Sequence, residues 1–322
     1  LEVRDAVSQR LIGSLRLGAT ARSRYGEDYL TIHRADLQAL LMQAALAQPT
    51  VHLQLSTPVN QVRQDDTGVE VVATGRAFRA DVAVVANGVW SGLRQQLLGD
   101  GPPRRLGHIA LRTLIPAAQW PRTLARDTVT AWLGERMHAV AYPVRGGDDF
   151  NLVIIVHEGD RIALDDHGDR WNGAIEHQRV ADAVADTHAV LRELVAVAPG
   201  WKFWALHGRP PVADPHEMVR GRVGLLGDAA HPMVPYLAQG AAMAIEDAHA
   251  LGEVLGRAEA DALPLALTRW ADMRWERVSR VQARSLRNGR IFHATGFLLL
   301  GRDWSMRILG ERLIDLPWLY GG

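Results

Sequence analysis

Hydrophobic and polar positions alternate over Leu1–Val7 and again over Arg10–Leu17, on either side of Asp5–Gln9. That pattern predicts a β-hairpin. Ile32–Leu37 opens a helix to about Leu46, with Leu37, Leu40, Leu41, Ala44 and Ala45 on one face. Val51–Leu55, Val59–Gln64 and Val69–Ala73 read as short strands, with Asp65-Asp66-Thr67-Gly68 as a turn. Ala80–Ala86 is a nearly continuous apolar run ending at Asn87-Gly88, the pattern of a buried parallel strand. From about Arg104 to Val156 longer alternating segments follow: Gly107–Ile115, Thr128–Gly134, His138–Val144 and Asn151–Val156. These predict an antiparallel sheet, hence a second domain. Ile175–Val195 reads as helical, Arg222–Leu226 as a buried strand, and Ala241–Leu255 and Leu265–Asn288 as helices. The first domain is expected to be left near Arg94 and re-entered near Trp204.

Composition narrows the function classes. Lys+Arg and Asp+Glu both total 36, so no global field draws in nucleic acid or an anionic membrane. Lys202 is the only lysine, and the arginines form no basic run. The absence of cysteine excludes disulfide scaffolds, Fe–S clusters, thiolate zinc sites and cysteine nucleophiles, and it suits a cytoplasmic protein. Apolar runs such as Thr295–Leu300 are too short to span a bilayer. No histidine pair sits at metal-ligand spacing with a third ligand nearby. Gly88-Val89-Trp90-Ser91-Gly92 has its serine one place too late for a nucleophile elbow.

The informative stretch runs from Arg222 to Ala248. A buried strand ends at Gly227-Asp228 and puts a carboxylate at its C-terminal edge, where open α/β sheets bind ligands. Such a carboxylate can accept hydrogen bonds from ribose or ribityl hydroxyls. Pro232 and Pro235 stiffen the following loop, and Gln239-Gly240-Ala241 starts a helix whose free amides and positive dipole end can stabilise an anion. His231 is expected to brace that loop, and Glu246-Asp247 to lie on the exposed side of the helix. Trp270 and Trp275 suit core or dimer packing.

The stretch Gly227-Asp228-Ala229-Ala230-His231-Pro232, continued through Pro235 to Gln239-Gly240-Ala241, resembles the Gly-Asp fingerprint of the class A flavoprotein monooxygenases. These include salicylate, 3-hydroxybenzoate and 6-hydroxynicotinate hydroxylases. His33-Arg34-Ala35-Asp36-Leu37 resembles the family's His-Arg-x-Asp-Leu segment, and the ending Trp318-Leu319-Tyr320-Gly321 its closing residues. The resemblance implies an α/β fold: a Rossmann-like FAD-binding domain interleaved with an antiparallel-sheet substrate domain and C-terminal helices. The expected spans are 1–100 and 206–262 for the FAD domain, 101–205 for the substrate domain and 263–322 for the helical end. It implies FAD contacts at Arg34, Val59, Asp228, Pro235, Gly240 and Ala241, with NADH or NADPH as co-substrate.

Two departures stand out. The family's opening G-x-G-x-x-G turn is not found, so the FAD domain is expected to be incomplete at its N-terminus and residues 1–322 alone to hold FAD poorly. The family's Asp-Gly segment appears as Asn87-Gly88, which keeps size and hydrogen bonding but loses charge.

The implied chemistry is hydroxylation of a small aromatic, a phenolic carboxylate or a hydroxylated N-heteroaromatic, through a flavin C4a-hydroperoxide formed with O2. The protein must orient the ring, deprotonate a phenol and exclude water. A histidine with a pKa near neutrality suits the base. His138, Val140 and Tyr142 share one strand face, and the resemblance makes His138 the substrate base and Tyr142 a pocket wall or proton donor. Gln239 can hydrogen-bond the substrate or the flavin edge. His33 is expected to pack beside Arg34. The implied state is a cytoplasmic monomer or homodimer. A reading from another class is a truncated paralogue that has lost catalysis and serves as a binding protein.

Overall fold

The structure is a computed structural model that describes residues 1–162 and 173–321. In chain order the strands are β1 Glu2–Asp5, β2 Leu11–Ser14, β3 Val59–Gln64, β4 Val69–Ala73, β5 Arg76–Ala80, β6 Ala83–Val85 and β7 Arg104–Pro116. They continue as β8 Thr130–Gly134, β9 Met137–Val144, β10 Asp149–His157, β11 Gly173–Ile175, β12 Trp201–Gly208, β13 Val219–Arg220 and β14 Val223–Leu225. The helices used below are α1 Ala19–Tyr25, α2 Arg34–Leu46, α3 Gly92–Leu98, α4 His177–Ala183, α5 Ala189–Ala196, α6 Gly240–Leu255, α7 Leu263–Phe292 and α8 Gly296–Leu309.

The chain divides into two compact units. The first comprises Leu1–His52, Gly107–Leu206 and Arg290–Gly322; the second comprises Leu53–Leu106 and His207–Gly289. This division differs from the expected spans at the N-terminus. The predicted hairpin forms as β1 and β2, but β1 also pairs in parallel with β8 and so joins the sheet of the first unit.

That sheet has eight strands in the order β11-β12-β7-β10-β9-β8-β1-β2. β7, β10 and β9 carry the alternating Val, Ile and Leu residues that favour a pleated, half-buried surface. One face buries Ile109, Leu111, Ile115, Phe150, Leu152, Ile154, Trp132 and Ala139 against Val180, Leu191 and Leu194 of α4 and α5. Trp120 stacks on Phe150 with ring centroids 3.9 Å apart. Each such fully buried large side chain stabilises the fold by roughly 1.5–3 kcal/mol. The single helix predicted over Ile175–Val195 is instead β11, α4 and α5. The break falls at Thr187-His188, where the His188 ring accepts the Val190 amide and starts α5 anew.

The second unit holds two small sheets, β13-β14-β6 and β3-β4-β5. The Asp65–Gly68 turn forms as predicted, with the Asp65 carboxylate accepting the Thr67 and Gly68 amides. Val51–Leu55 forms no strand. The apolar run over Ala80–Ala86 is divided: Ala80 ends β5, and only Ala83–Val85 pairs in parallel with Val223–Leu225. The two strands are covered unequally. β14 is buried throughout, with Leu267 and Trp270 of α7 packed over Gly224. β6 is the edge of its sheet, and Val84 is exposed.

Candidate active site

In the second unit, β6 and β14 run in parallel and end together, Val85 opposite Leu225. Both exits display polar residues to solvent: Asn87 after β6 and Asp228 after β14. Gly227 makes the turn at φ 58°, a left-handed conformation costly for any residue with a Cβ. The turn is held from behind by Arg94. This guanidinium, almost wholly buried, donates to the carbonyls of Ala229 and Ala230 and pairs with Asp100 at 2.7 Å.

The loop after the turn is bound to α7 by a ladder. Gln282 Nε2, Ser285 Oγ and Asn288 Nδ2 donate to the carbonyls of Pro232, Val234 and Tyr236 at 3.2, 2.7 and 3.2 Å. Helical spacing of three matches alternate carbonyls of an extended loop. Gly289 lets α7 come close, since a Cβ there would lie 2.5 Å from the Tyr236 ring. His231 braces the same loop, as expected, with its Nε2 2.5 Å from Asp247. The expectation that Glu246 and Asp247 face solvent is corrected. Asp247 is fully buried and accepts from Arg274 Nε at 2.7 Å, while Glu246 pairs with Arg274 and Arg277.

The loop thus delivers an exposed Pro235 and a half-buried Gln239 to the start of α6. No side chain caps that end, and Gly240 and Ala241 present its first amides. A carboxylate at a strand edge beside an uncapped helix start is a donor and acceptor set that fits a dinucleotide with a negatively charged ring edge. Val59 begins β3, partly exposed.

In the first unit, the segment before α2 is fastened to β9. Thr31 Oγ1 donates to the Pro143 carbonyl at 2.7 Å, and Asp36 pairs with Arg145 at 2.9 Å. The Arg145 guanidinium holds the Asp36 carboxyl below the usual carboxylate range. His33 stands just before α2 at its N-cap position, and Arg34, the first helical residue, is exposed.

The sheet face opposite the core carries the other expected residues in register. Tyr142, Asn151 and Leu114 form one row, Val140, Val153 and Arg112 the next, and His138, Ile155 and Ala110 a third. Burial raises the Tyr142 pKa, and the charges of Arg112 and Arg34 oppose that rise. Arg112 lies over the Trp204 ring, 5.7 Å from its centroid. With His33, Asn151, Trp201 and Lys202 it lines a cleft of about 430 Å³. His33 Nδ1, Thr113 Oγ1 and Trp201 Nε1 on that lining are buried without a hydrogen-bond partner among the described residues. Arg112 and Lys202 escaped sequence reasoning, because only the pairing of β7 reveals that Arg112 stands one row from Tyr142.

His138 differs from the expected base near neutrality. It is only 3% exposed, and burial, with His108 and Arg302 nearby, lowers its pKa to about 3. Its Nδ1 meets His293 Nε2 at 2.8 Å, and Phe292 packs edge-on against its ring.

Among the described residues no helix is long and apolar enough to cross a membrane, and no acidic, histidine or cysteine group is placed to hold a metal. A family model described as an FAD binding domain matches residues 6–292. The 3-hydroxybenzoate 6-hydroxylase of Klebsiella oxytoca is 34% identical over 98% of this chain and 78% of its own length. The 6-hydroxynicotinate 3-monooxygenase of Bordetella bronchiseptica is 36% identical over 87% of this chain and 70% of its own. A salicylate hydroxylase in complex with substrate superposes with a TM-score of 0.83 at 25% identity, over 99% of this chain and 78% of its own. HpxO of Klebsiella pneumoniae with FAD and uric acid gives 0.82, also at 25% identity, over 97% of this chain and 77% of its own. The chain belongs to the FAD-binding family of class A flavoprotein aromatic hydroxylases and is an FAD-dependent monooxygenase.

Proposed function

We propose that the protein hydroxylates a small anionic aromatic, a phenolic carboxylate or a hydroxylated N-heteroaromatic, with NADH or NADPH as electron donor and O2 as oxidant. The observation that carries this reading is the row order on the sheet face opposite the core: Asn151 and Tyr142, then Arg112, then His138. When bound, FAD takes two electrons from the nicotinamide and activates O2 for transfer to the ring.

The chain's own residues do the rest. Asp228 accepts hydrogen bonds from cofactor hydroxyls, and the Gly240 and Ala241 amides favour negative charge on the flavin edge. Pro235 shapes the loop against the cofactor, Val59 packs near the adenine, and Arg34 extends its charge toward FAD. On the sheet face, Arg112 attracts the substrate carboxylate, with Lys202 adding positive charge from the same cleft. Tyr142 walls the ring, Gln239 orients it or the flavin edge, and His138 accepts the phenol proton. A soluble nicotinamide donor and a chain without cysteine support a cytoplasmic location.

The test is turnover of the FAD-loaded protein with NADH or NADPH under ¹⁸O2, using 3-hydroxybenzoate, salicylate and 6-hydroxynicotinate. We expect at least one of them to stimulate nicotinamide oxidation and to leave as a product carrying ¹⁸O. Absence of labelled product with all three would overturn the reading.

A further inference from the structure

Helix α8 carries large apolar side chains on its solvent face. Its inner face is fixed: Met306 packs with Val3, Ile12 and Leu133, and buried Arg302 donates to the Phe292 carbonyl at 2.9 Å and pairs with Asp303 at 2.8 Å. The outer face is centred on Phe297, Gly301, Trp304 and Ile308, spaced four, three and four apart, so that they form one line along the helix. Leu298, Leu300 and Leu309 flank that line. The six large side chains are between 46% and 91% exposed. At the areas usual for such groups they show solvent roughly 700 Å² of apolar surface, above the roughly 300–600 Å² of the largest patch on an ordinary monomer.

The same face holds a knob and a socket. Trp304 stands out as the knob. Gly301 leaves open space where a Cβ would stand, and a cleft of about 400 Å³ lies there, lined by Leu300, Gly301, Trp304, Arg10, Asp303 and Arg307. All of these residues belong to one unit.

We propose that α8 is the contact between two copies of this chain, packed antiparallel about a twofold axis level with Arg302 and Asp303, with Trp304 of each copy seated over Gly301 of the other. A twofold contact is isologous: where residue i meets j, j meets i. An axis at that level also sets Phe297 of one copy opposite Ile308 of the other, so large meets small at the centre and large meets large at the ends. The socket suits an indole, because Leu300 and Trp304 give it apolar walls, and the exposed Arg10 and Arg307 guanidinium groups can lie on an aromatic face. The area fits as well. Two such patches face to face cover roughly 1,400 Å², within the range of about 1,200–2,000 Å² of a stable interface. A lipid surface needs no gap at the centre of the apolar line, whereas a second helix does. This contact is independent of the hydroxylase reading.

Analytical ultracentrifugation of the natural chain, W304E and G301L at micromolar concentration reads the contact. We expect the natural chain to sediment with the mass of two copies. W304E removes the knob, and the change occurs twice in a twofold contact, so it should raise the dimer Kd by at least about 100-fold. G301L fills the socket and should raise it by roughly 10-fold or more, although leucine is more apolar than glycine and favours a helix. Circular dichroism of both variants should match the natural chain, since Trp304 is exposed and a Cβ at position 301 meets nothing within 4 Å. F297E repeats the test should W304E fold poorly. A monomeric natural chain, or a dimer that tolerates either W304E or G301L, would overturn the proposal. So would a monomer that binds phosphatidylglycerol vesicles, less in W304E and more in G301L, which would assign the face to a lipid surface.

Discussion

His231 Nε2 and the Asp247 carboxylate meet at 2.5 Å, with side chains 1% and 0% exposed. Sixteen residues separate them, and the span includes the whole loop that leads from the Asp228 turn to the start of α6. The second oxygen of Asp247 takes Arg274 Nε at 2.7 Å, and its carbonyl takes Trp270 Nε1 at 3.0 Å. One carboxylate thus ties the loop, α6 and α7 together beside the proposed cofactor turn.

Replacing Asp247 by Ala takes one of two carboxylate partners from buried Arg274 and removes the partner of a buried imidazole. Breaking a buried pair in this way costs about 3–5 kcal/mol. Urea denaturation should show the midpoint of D247A falling accordingly, while E246A, whose own carboxylate is 35% exposed, should lose about 1 kcal/mol or less. Equal losses in the two variants would deny Asp247 its special place.

The buried histidines make stability depend on pH in a window of their own. His138 and His293 have folded pKa values lowered to about 3 and about 2, from 6.5 when unfolded. Their neutral burial is unopposed above pH 6.5, and below it the unfolded chain takes up protons that the folded one refuses. Stability should therefore fall as pH drops from 6.5 toward 4.5, with a slope of up to about 1.4 kcal/mol per pH unit for each ring. Carboxylates held down by partners, such as Asp36 and Asp65, act mainly below that range. Urea midpoints for H293F should show roughly half the slope of the natural sequence between pH 6.5 and 5. An unaltered slope would mean that the rings ionise in the folded state.

Local signals were legible where the side-chain pattern is itself the cause. Alternation gave β7 to β10, and Gly227-Asp228 with Gln239-Gly240-Ala241 located the turn and the helix start. Features that depend on partners remote in sequence were not legible. Asp247 reads as surface charge until Arg274 and His231 are seen to enclose it, and Gln282, Ser285 and Asn288 read as ordinary polar positions of a long helix. His108, His138 and His293 are brought together only by the sheet register and the end of α7. The predicted helix over 175–195 failed for the opposite reason: helical apolar spacing persists across Thr187-His188, where a local side-chain cap overrides it.

Asp228 is exposed at the C-terminal edge of the parallel pair, and removing its carboxylate should weaken FAD without unfolding the protein. A charge-assisted hydrogen bond to a cofactor hydroxyl is worth about 1.5–3 kcal/mol, so D228A should raise the Kd for FAD by roughly 10- to 150-fold. Fluorescence titration of the apo form with FAD reads the shift, and the melting temperature of the apo form should stay the same. Unaltered affinity would remove Asp228 from the cofactor site.

Arg112 gives a prediction about which substrates the sheet face selects. Its guanidinium is steadied over Trp204 at 5.7 Å and stands one register row from Tyr142, so it presents fixed positive charge rather than a mobile one. Fixed charge discriminates by what it meets. A carboxylate gains a charge-assisted hydrogen bond there, whereas a neutral phenol gains little. R112Q keeps much of the bulk and some hydrogen bonding but loses the charge and the planar fork. We expect KM for 3-hydroxybenzoate to rise by about 10- to 100-fold, matching a loss of about 1.4–2.7 kcal/mol. A phenol without the carboxylate should shift less than about threefold, and kcat should change little for either, since charge attraction to a remote carboxylate serves ground state and transition state alike. Steady-state kinetics with the two compounds separates the cases. Equal rises in KM would mean that Arg112 supports the sheet face by packing, and a fall confined to kcat would place it at the reacting carbon instead.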